Sequence, residues 1–192
     1  MKYPRIESLP DLLCYARLLL VPVVLALALL GMPFWTGIAL LAGGLTDVLD
    51  GAIARRRNIV TAYGSRLDSI ADTLMEISAA AALLLLRPDI FMRHPVILGI
   101  WVALEASWIV IGWIRFRRIA NLHLYLTKAG GVAAYAFIVY TFTVGYSEAF
   151  FFTTAALLIV SSIECLLLVA SARSVDENMK SIYHAYRAGR LF

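Results

Sequence analysis

Charge is scarce in this chain. Asp, Glu, Lys and Arg make up 16% of its 192 residues, against about 25% in soluble domains, and 61% of the residues are hydrophobic. Together with a mean hydropathy of +0.81, that scarcity excludes an ordinary soluble domain or a disordered tail and points to an all-α integral membrane protein. Cysteine is scarcer still. Cys14 and Cys165 stand 151 positions apart in apolar runs, so neither a disulfide framework nor a zinc-finger spacing is present, and both read as small buried hydrophobes. The chain shows no low-complexity tract, no long linker, no internal repeat and no soluble domain. The net charge of +4 is too modest to suggest a nucleic-acid partner. The opening "MKYPRIESLPDLL" does not read as a cleaved signal peptide, because a long apolar run follows it with no small-residue cleavage site.

What is present is a series of apolar runs. A membrane-spanning helix needs about 20 such residues. Six segments qualify, at about 12–31, 34–56, 65–86, 95–114, 129–146 and 149–171. Short polar or Gly/Pro stretches separate them. The expectation is one six-helix membrane domain over residues 1–192, with a short amphipathic lead at 1–11. The charged tail has Ile182, Tyr183 and Tyr186 at helical spacing, as in an interfacial helix. Trp35, Trp101, Trp108 and Trp113 read as interfacial anchors or packing.

Lys and Arg are unevenly shared between the two sides. Six spans put both termini on one side, with Lys2, Arg5, Arg55–Arg57, Arg66, Arg115, Arg117, Arg118, Lys128 and the basic residues of the tail. The other side has Arg87 and Arg93. The bias predicts cytoplasmic termini and a cytoplasmic 57–64 loop.

Against this background, four acids stand out. Asp47 and Asp50 are three apart near the end of the second span, and Asp68 and Asp72 are four apart near the start of the third. Each pair shares a helix face, and the short connection makes the two helices antiparallel neighbours. Four carboxylates converging in a low-dielectric site must be protonated, paired or neutralised by metal. Hard Mg²⁺ or Mn²⁺ suits all-oxygen ligation, and four acids can hold two ions. No His or Cys lies within 47–72, which argues against zinc. Gly51 and Ala54 share the face of Asp47 and Asp50, Gly64 opens the third helix, and Arg55 can offer a guanidinium to phosphate. Spacing alone does not choose between an enzyme and an ion- or proton-coupled transporter using the same carboxylates.

The full pattern is more specific. Asp47-x-x-Asp50-Gly51-x-x-Ala54-Arg55, eight further residues, then Gly64-x-x-x-Asp68-x-x-x-Asp72, resembles the signature of the CDP-alcohol phosphatidyltransferases at every defined position. The stretch Pro10-Asp11-Leu12-Leu13-Cys14-Tyr15-Ala16-Arg17 is similar to that family's Pro-Asn-x-Leu-Thr-x-x-Arg opening, departing at Asp11 and Cys14. The resemblance implies six membrane helices and transfer of a phosphatidyl group from CDP-diacylglycerol to a small alcohol, with release of CMP. It implies that Asp47, Asp50, Asp68 and Asp72 bind two divalent cations, that Asp72 is also the general base, and that Gly51, Ala54, Arg55 and Gly64 contact the CDP moiety. It also implies membrane-lipid contacts and a homodimer. Arg17 would contact phosphate or brace the acidic pocket.

The acceptor is less legible. Glycerol 3-phosphate leads, ahead of inositol phosphate or serine. A phosphate-bearing acceptor needs cations, which Arg115, Arg117, Arg118 and Lys128 could supply, with His123 a weaker candidate. Basic loops on this side are also what orientation requires. Glu76 lies one turn beyond Asp72, and Glu105 and Glu164 sit within the fourth and sixth spans with no role the sequence assigns.

Overall fold

The computed structural model describes residues 9–57, 62–117 and 124–171, with the backbone alone at 9–11, 54–57 and 62. The described residues form helices and short connections, as an all-α fold requires. The helices are α1 (Leu9–Leu29), α2 (Pro33–Arg57), α3 (Ala62–Leu86), α4 (Pro88–Arg93), α5 (Pro95–Phe116), α6 (Tyr125–Thr143) and α7 (Glu148–Ser171). Arg118, His123 and the tail residues Ile182, Tyr183 and Tyr186 lie outside the described residues, as does most of the amphipathic lead.

Six of the helices match the six expected runs. α1, α2, α3, α5 and α7 are long and apolar enough to cross a membrane. α6 begins at Tyr125 rather than 129, so its first turn carries Thr127 and Lys128. Those polar residues dilute its apolar character. α4 was not expected: "RPDIFMRHP" reads as a loop, yet Pro88 at its first position and Pro95 at the start of α5 bracket a single helical stretch whose Ile90 is 1% exposed. Proline is tolerated at a helix start because its missing N–H has no helical partner there.

The chain divides into two compact units. The first comprises residues 1–88 with 138–146, and the second residues 89–137 with 147–192. In the first, α1 packs against both α2 and α3. The contact face of α1 is the stripe Cys14, Arg17, Val24 and Ala28, all buried. α3 answers with buried Met75 and with Ala71, Ser78, Ala79 and Ala82, small side chains that let the helices approach closely. α1 ends at Gly31, whose φ of +69° is left-handed. The N–H of Gly31 donates to the Ala28 carbonyl and that of Met32 to the Leu27 carbonyl, a Schellman stop that turns the chain into α2. Gly37 of α2 meets the last turn of α6 so closely that a Cβ there would lie 2.7 Å from Thr143 Cγ2 and 2.9 Å from Phe142 Cβ.

In the second unit, α5 packs on α7. His94 stacks on Phe151 with ring centroids 4.4 Å apart, and Phe137 meets Phe150 edge-on. Glu105 of α5 accepts a hydrogen bond of 2.7 Å from Ser162 of α7. Outside these faces the helices present bare apolar side chains such as Leu19, Val48, Ile77, Val102 and Leu167, each more than half exposed. Such a surface suits the hydrocarbon of a bilayer.

Candidate active site

Three helices of the first unit build the acidic cluster. The turn spacing on α2 and α3 brings Asp47, Asp68 and Asp72 together, each with one carboxylate oxygen within 4.8 Å of the others. Asp50 is buried, whereas Asp47, Asp68 and Asp72 keep 40–49% of their side chains exposed. The pocket is thus closed at Asp50 and open along the other three acids. The convergence expected from i, i+3 and i, i+4 spacing is present.

The third wall is α1, which contributes a cation. Arg17 is 1% exposed and its guanidinium reaches all four acids. Nη1 donates to Asp72 and, at 3.1 Å, to Asp68 Oδ1. Nη2 donates to Asp50 and lies 3.4 Å from Asp47 Oδ1. Nε points to Thr46 Oγ1 at 3.5 Å, and that hydroxyl donates in turn to the Gly43 carbonyl at 2.7 Å. The planar fork can serve several carboxylates at once, which a lysine ammonium could not do with the same geometry. Bracing of the acidic pocket by Arg17 is therefore observed.

Cys14, one turn before Arg17, is buried as expected but not in purely apolar company. Its Sγ lies 3.6 Å from Asp50 Oδ2 and 3.8 Å from Asp68 Oδ1. Reading 47–72 alone missed this sulfur, because its partners are 36 and 54 positions away. At the same end, Tyr15 and Tyr63 join α1 to α3 through a hydroxyl–hydroxyl hydrogen bond of 2.7 Å.

The remaining candidates are placed as follows. Gly51 and Gly64 are half-buried on α2 and α3, beside the acids in sequence. Ala54 and Arg55 continue α2, with side chains outside the described residues. Glu76 is exposed on α3. Arg115, Arg117 and Lys128 belong to the second unit and are exposed. The Arg115 guanidinium donates to the carbonyls of Val169, at 2.6 Å, and Ala170. It thereby ties the end of α5 to α7 within the second unit.

The donor set fits hard divalent cations. Asp47, Asp68 and Asp72 offer three convergent carboxylate oxygens, and a single arginine cannot neutralise four acids.

Comparison with known proteins agrees with this chemistry. The family model described as CDP-alcohol phosphatidyltransferase matches residues 7–175, which takes in helices of both units. A CDP-diacylglycerol–glycerol-3-phosphate 3-phosphatidyltransferase of Rickettsia bellii is 34% identical over 87 residues, covering 44% of this chain and 48% of the relative. A CMP-forming cardiolipin synthase of Oryza sativa subsp. japonica is 37% identical over 89 residues, 44% of this chain and 26% of the relative. An archaetidylinositol phosphate synthase of Methanothermobacter thermautotrophicus is 60% identical over 42 residues, 21% of this chain and 22% of the relative. The chain thus spans half or less of the length of each of these relatives.

Proposed function

This chain belongs to the CDP-alcohol phosphatidyltransferase family, and from that premise we propose that it transfers a phosphatidyl group from CDP-diacylglycerol to an alcohol, releasing CMP. The observation that carries the proposal is the meeting of Asp47, Asp68 and Asp72 across α2 and α3 at the family's spacing, with buried Asp50 behind them. Glycerol 3-phosphate is the proposed acceptor, supported by the name of the Rickettsia bellii relative; inositol phosphate and serine rank behind it. No observation favours the ion-transport reading over this one.

In the proposed mechanism, Asp47, Asp50, Asp68 and Asp72 would hold two Mg²⁺ or Mn²⁺ ions. When bound, these would offset charge on the diphosphate and on the leaving CMP. Gly51, Ala54, Arg55 and Gly64 contact the CDP moiety, the glycines and alanine leaving room and Arg55 meeting phosphate. Asp72 takes the proton of the acceptor hydroxyl as that oxygen bonds to the β-phosphorus, and the bond from the β-phosphorus to the bridging oxygen breaks. The two acyl chains stay in the bilayer, so an acidic site bordered by apolar helices suits a substrate that is half lipid. Arg115, Arg117, Arg118 and Lys128 are the proposed partners of the acceptor phosphate, supported by charge alone. The family match runs through both units, which supports reading 1–192 as one domain. Cytoplasmic termini and active site are proposed from the Lys/Arg bias, and a homodimer from the resemblance.

The test is direct. Purified protein is incubated with CDP-diacylglycerol and Mg²⁺ or Mn²⁺, alcohols are added one at a time, and CMP is measured. Metal-dependent CMP release with glycerol 3-phosphate is expected. Absence of CMP with every alcohol would overturn the proposal.

A further inference from the structure

Glu76 is an acid of the first unit that the proposed mechanism does not use. It stands near the middle of α3, about 21 Å along the axis from Ala62 and about 15 Å from Leu86. It is exposed, and among the described residues no cation pairs with it. Acids within a membrane span face a polar cleft rather than lipid. Asp47 of α2 is close enough to act on the charge of Glu76, which sets that cleft on the side of the acidic pocket. Glu76 lies one turn beyond Asp72, and three and seven residues beyond Thr73 and Ser69, so the four share one side of α3. Thr73 and Ser69 are exposed as well. Each spends its single hydroxyl hydrogen on its own helix: Ser69 donates to the Ser65 carbonyl at 3.0 Å, and Thr73 to the Ser69 carbonyl at 2.8 Å. What both present outward is oxygen lone pairs. Beyond Asp72, then, this side of α3 offers hydrogen-bond acceptors.

We propose that Glu76 is a specificity residue for the acceptor: its carboxylate, flanked by Thr73, accepts a hydrogen bond from the hydroxyl on the carbon next to the one whose oxygen reacts at Asp72. The inference rests on the proposed transfer and narrows its acceptor to a polyol. Side chains one turn apart on a helix stand about 5–6 Å from each other, so Asp72 and Glu76 can each take one of two neighbouring hydroxyls. A row of acceptors binds a ligand that brings its own hydrogens, and it repels an anion. Glycerol 3-phosphate meets both conditions when its middle hydroxyl meets Glu76 and its phosphate points away. An acceptor without the second hydroxyl would leave the Glu76 carboxylate unpaired in the closed site, which is how such a site discriminates.

The test compares two acceptors that differ by that hydroxyl. The full chain in detergent is given CDP-diacylglycerol and Mg²⁺, and kcat/KM for CMP release is measured with glycerol 3-phosphate and with 3-hydroxypropyl phosphate. Wild type should prefer glycerol 3-phosphate by about tenfold or more, the effect of a hydrogen bond to a charged group. In Glu76→Leu the loss on glycerol 3-phosphate should exceed the loss on 3-hydroxypropyl phosphate by about tenfold, which closes the preference, and Glu76→Asp should keep part of it. The unfolding temperature of both variants should match wild type, because Glu76 is exposed and pairs with no described cation. The wild-type comparison needs no variant, so a substitution that fails to fold leaves the test intact. A wild type that uses the two acceptors equally overturns the inference while the transfer stands. So does a Glu76→Leu protein that loses activity on both to the same extent, as a purely structural role would give. Turnover with some other alcohol but not with glycerol 3-phosphate also overturns it. No CMP with any alcohol removes the transfer itself, and this inference with it.

Discussion

Arg17→Gln should make the first unit metal-dependent for its stability. In the wild type one buried guanidinium contacts four carboxylates, of which Asp50 is itself buried. Removing one partner of a buried ion pair costs about 3–5 kcal/mol, because the charge left behind has neither water nor a counterion. The repulsion Arg17 offsets is substantial. Two carboxylate oxygens at the 4.8 Å limit of the Asp47–Asp68–Asp72 group repel by about 3.5 kcal/mol at an effective dielectric of 20, before solvent screening of the exposed acids. At roughly 2–4 °C per kcal/mol for a chain of this length, thermal unfolding in EDTA should fall by about 10 °C. Divalent ions should then restore what the arginine supplied. A saturating ion at about 100 times its Kd stabilises by about 2.7 kcal/mol. The upshift with Mn²⁺ should be larger in Arg17→Gln than in wild type, because the variant's carboxylates no longer have to exchange a guanidinium for the ion. Arg17→Lys should fall between the two, since an ammonium keeps the charge but cannot span four carboxylates. The assay is tryptophan-fluorescence unfolding in detergent, with and without Mn²⁺, and Arg17→Gln/Asp50→Asn closes the cycle. The double variant should be less destabilised than the sum of the two singles. An Arg17→Gln protein as stable as wild type in EDTA, or an equal Mn²⁺ upshift in both, would refute the reasoning.

Four further outcomes are expected. Asp72→Asn should abolish CMP release while CDP-lipid binding, followed by equilibrium filtration, persists; full turnover in this variant would remove Asp72 as base. Asp68→Ala should lose metal-dependent CDP-lipid binding as well, and an unchanged Mg²⁺ or Mn²⁺ dependence would count against its place in the metal site. Gly37→Ala should destabilise by about 1–3 kcal/mol through overpacking against Phe142 and Thr143, read as a lower unfolding temperature; an unchanged temperature would mean that the last turn of α6 yields freely. Arg115→Gln should expose the end of α7, with faster amide exchange over its last turn and a loss of about 0.3–1 kcal/mol; unaltered exchange would show that its bonds to Val169 and Ala170 carry no weight.

The sequence made some of this legible and hid the rest, for physical reasons. Long apolar runs announce membrane helices because the bilayer sets their length, so α1, α2, α3, α5 and α7 could be placed from hydropathy. α4 could not, because six residues between two prolines make too short a run to carry a period. The convergence of Asp47, Asp68 and Asp72 was legible because helical spacing fixes which side chains share a face, and a short connection fixes which helices are neighbours. The approach of Cys14 was not. It depends on how α1 lies across α2 and α3, and nothing in the local spacing of an apolar run reports that. The contact of Gly37 with the end of α6 was hidden for the same reason: its partners are more than 100 positions away.

That division bears on how the site works. Two helices supply the acids, and α1 supplies the cation that lets them coexist. Four acids without a cation would repel one another and weaken the packing of α1, α2 and α3. Four acids fully matched by arginines would be a structural salt-bridge cluster with nothing left to bind. One buried arginine lies between these limits. It leaves three carboxylates partly exposed and under-neutralised, so the α1–α2–α3 packing can form while a deficit of positive charge remains on the open side. On the proposed function, divalent ions and a diphosphate answer that deficit together, and Arg17 gives up contacts with acids as they arrive. Stability without metal and affinity for metal then pull against each other through one residue, so a substitution at Arg17 should move the two in opposite directions.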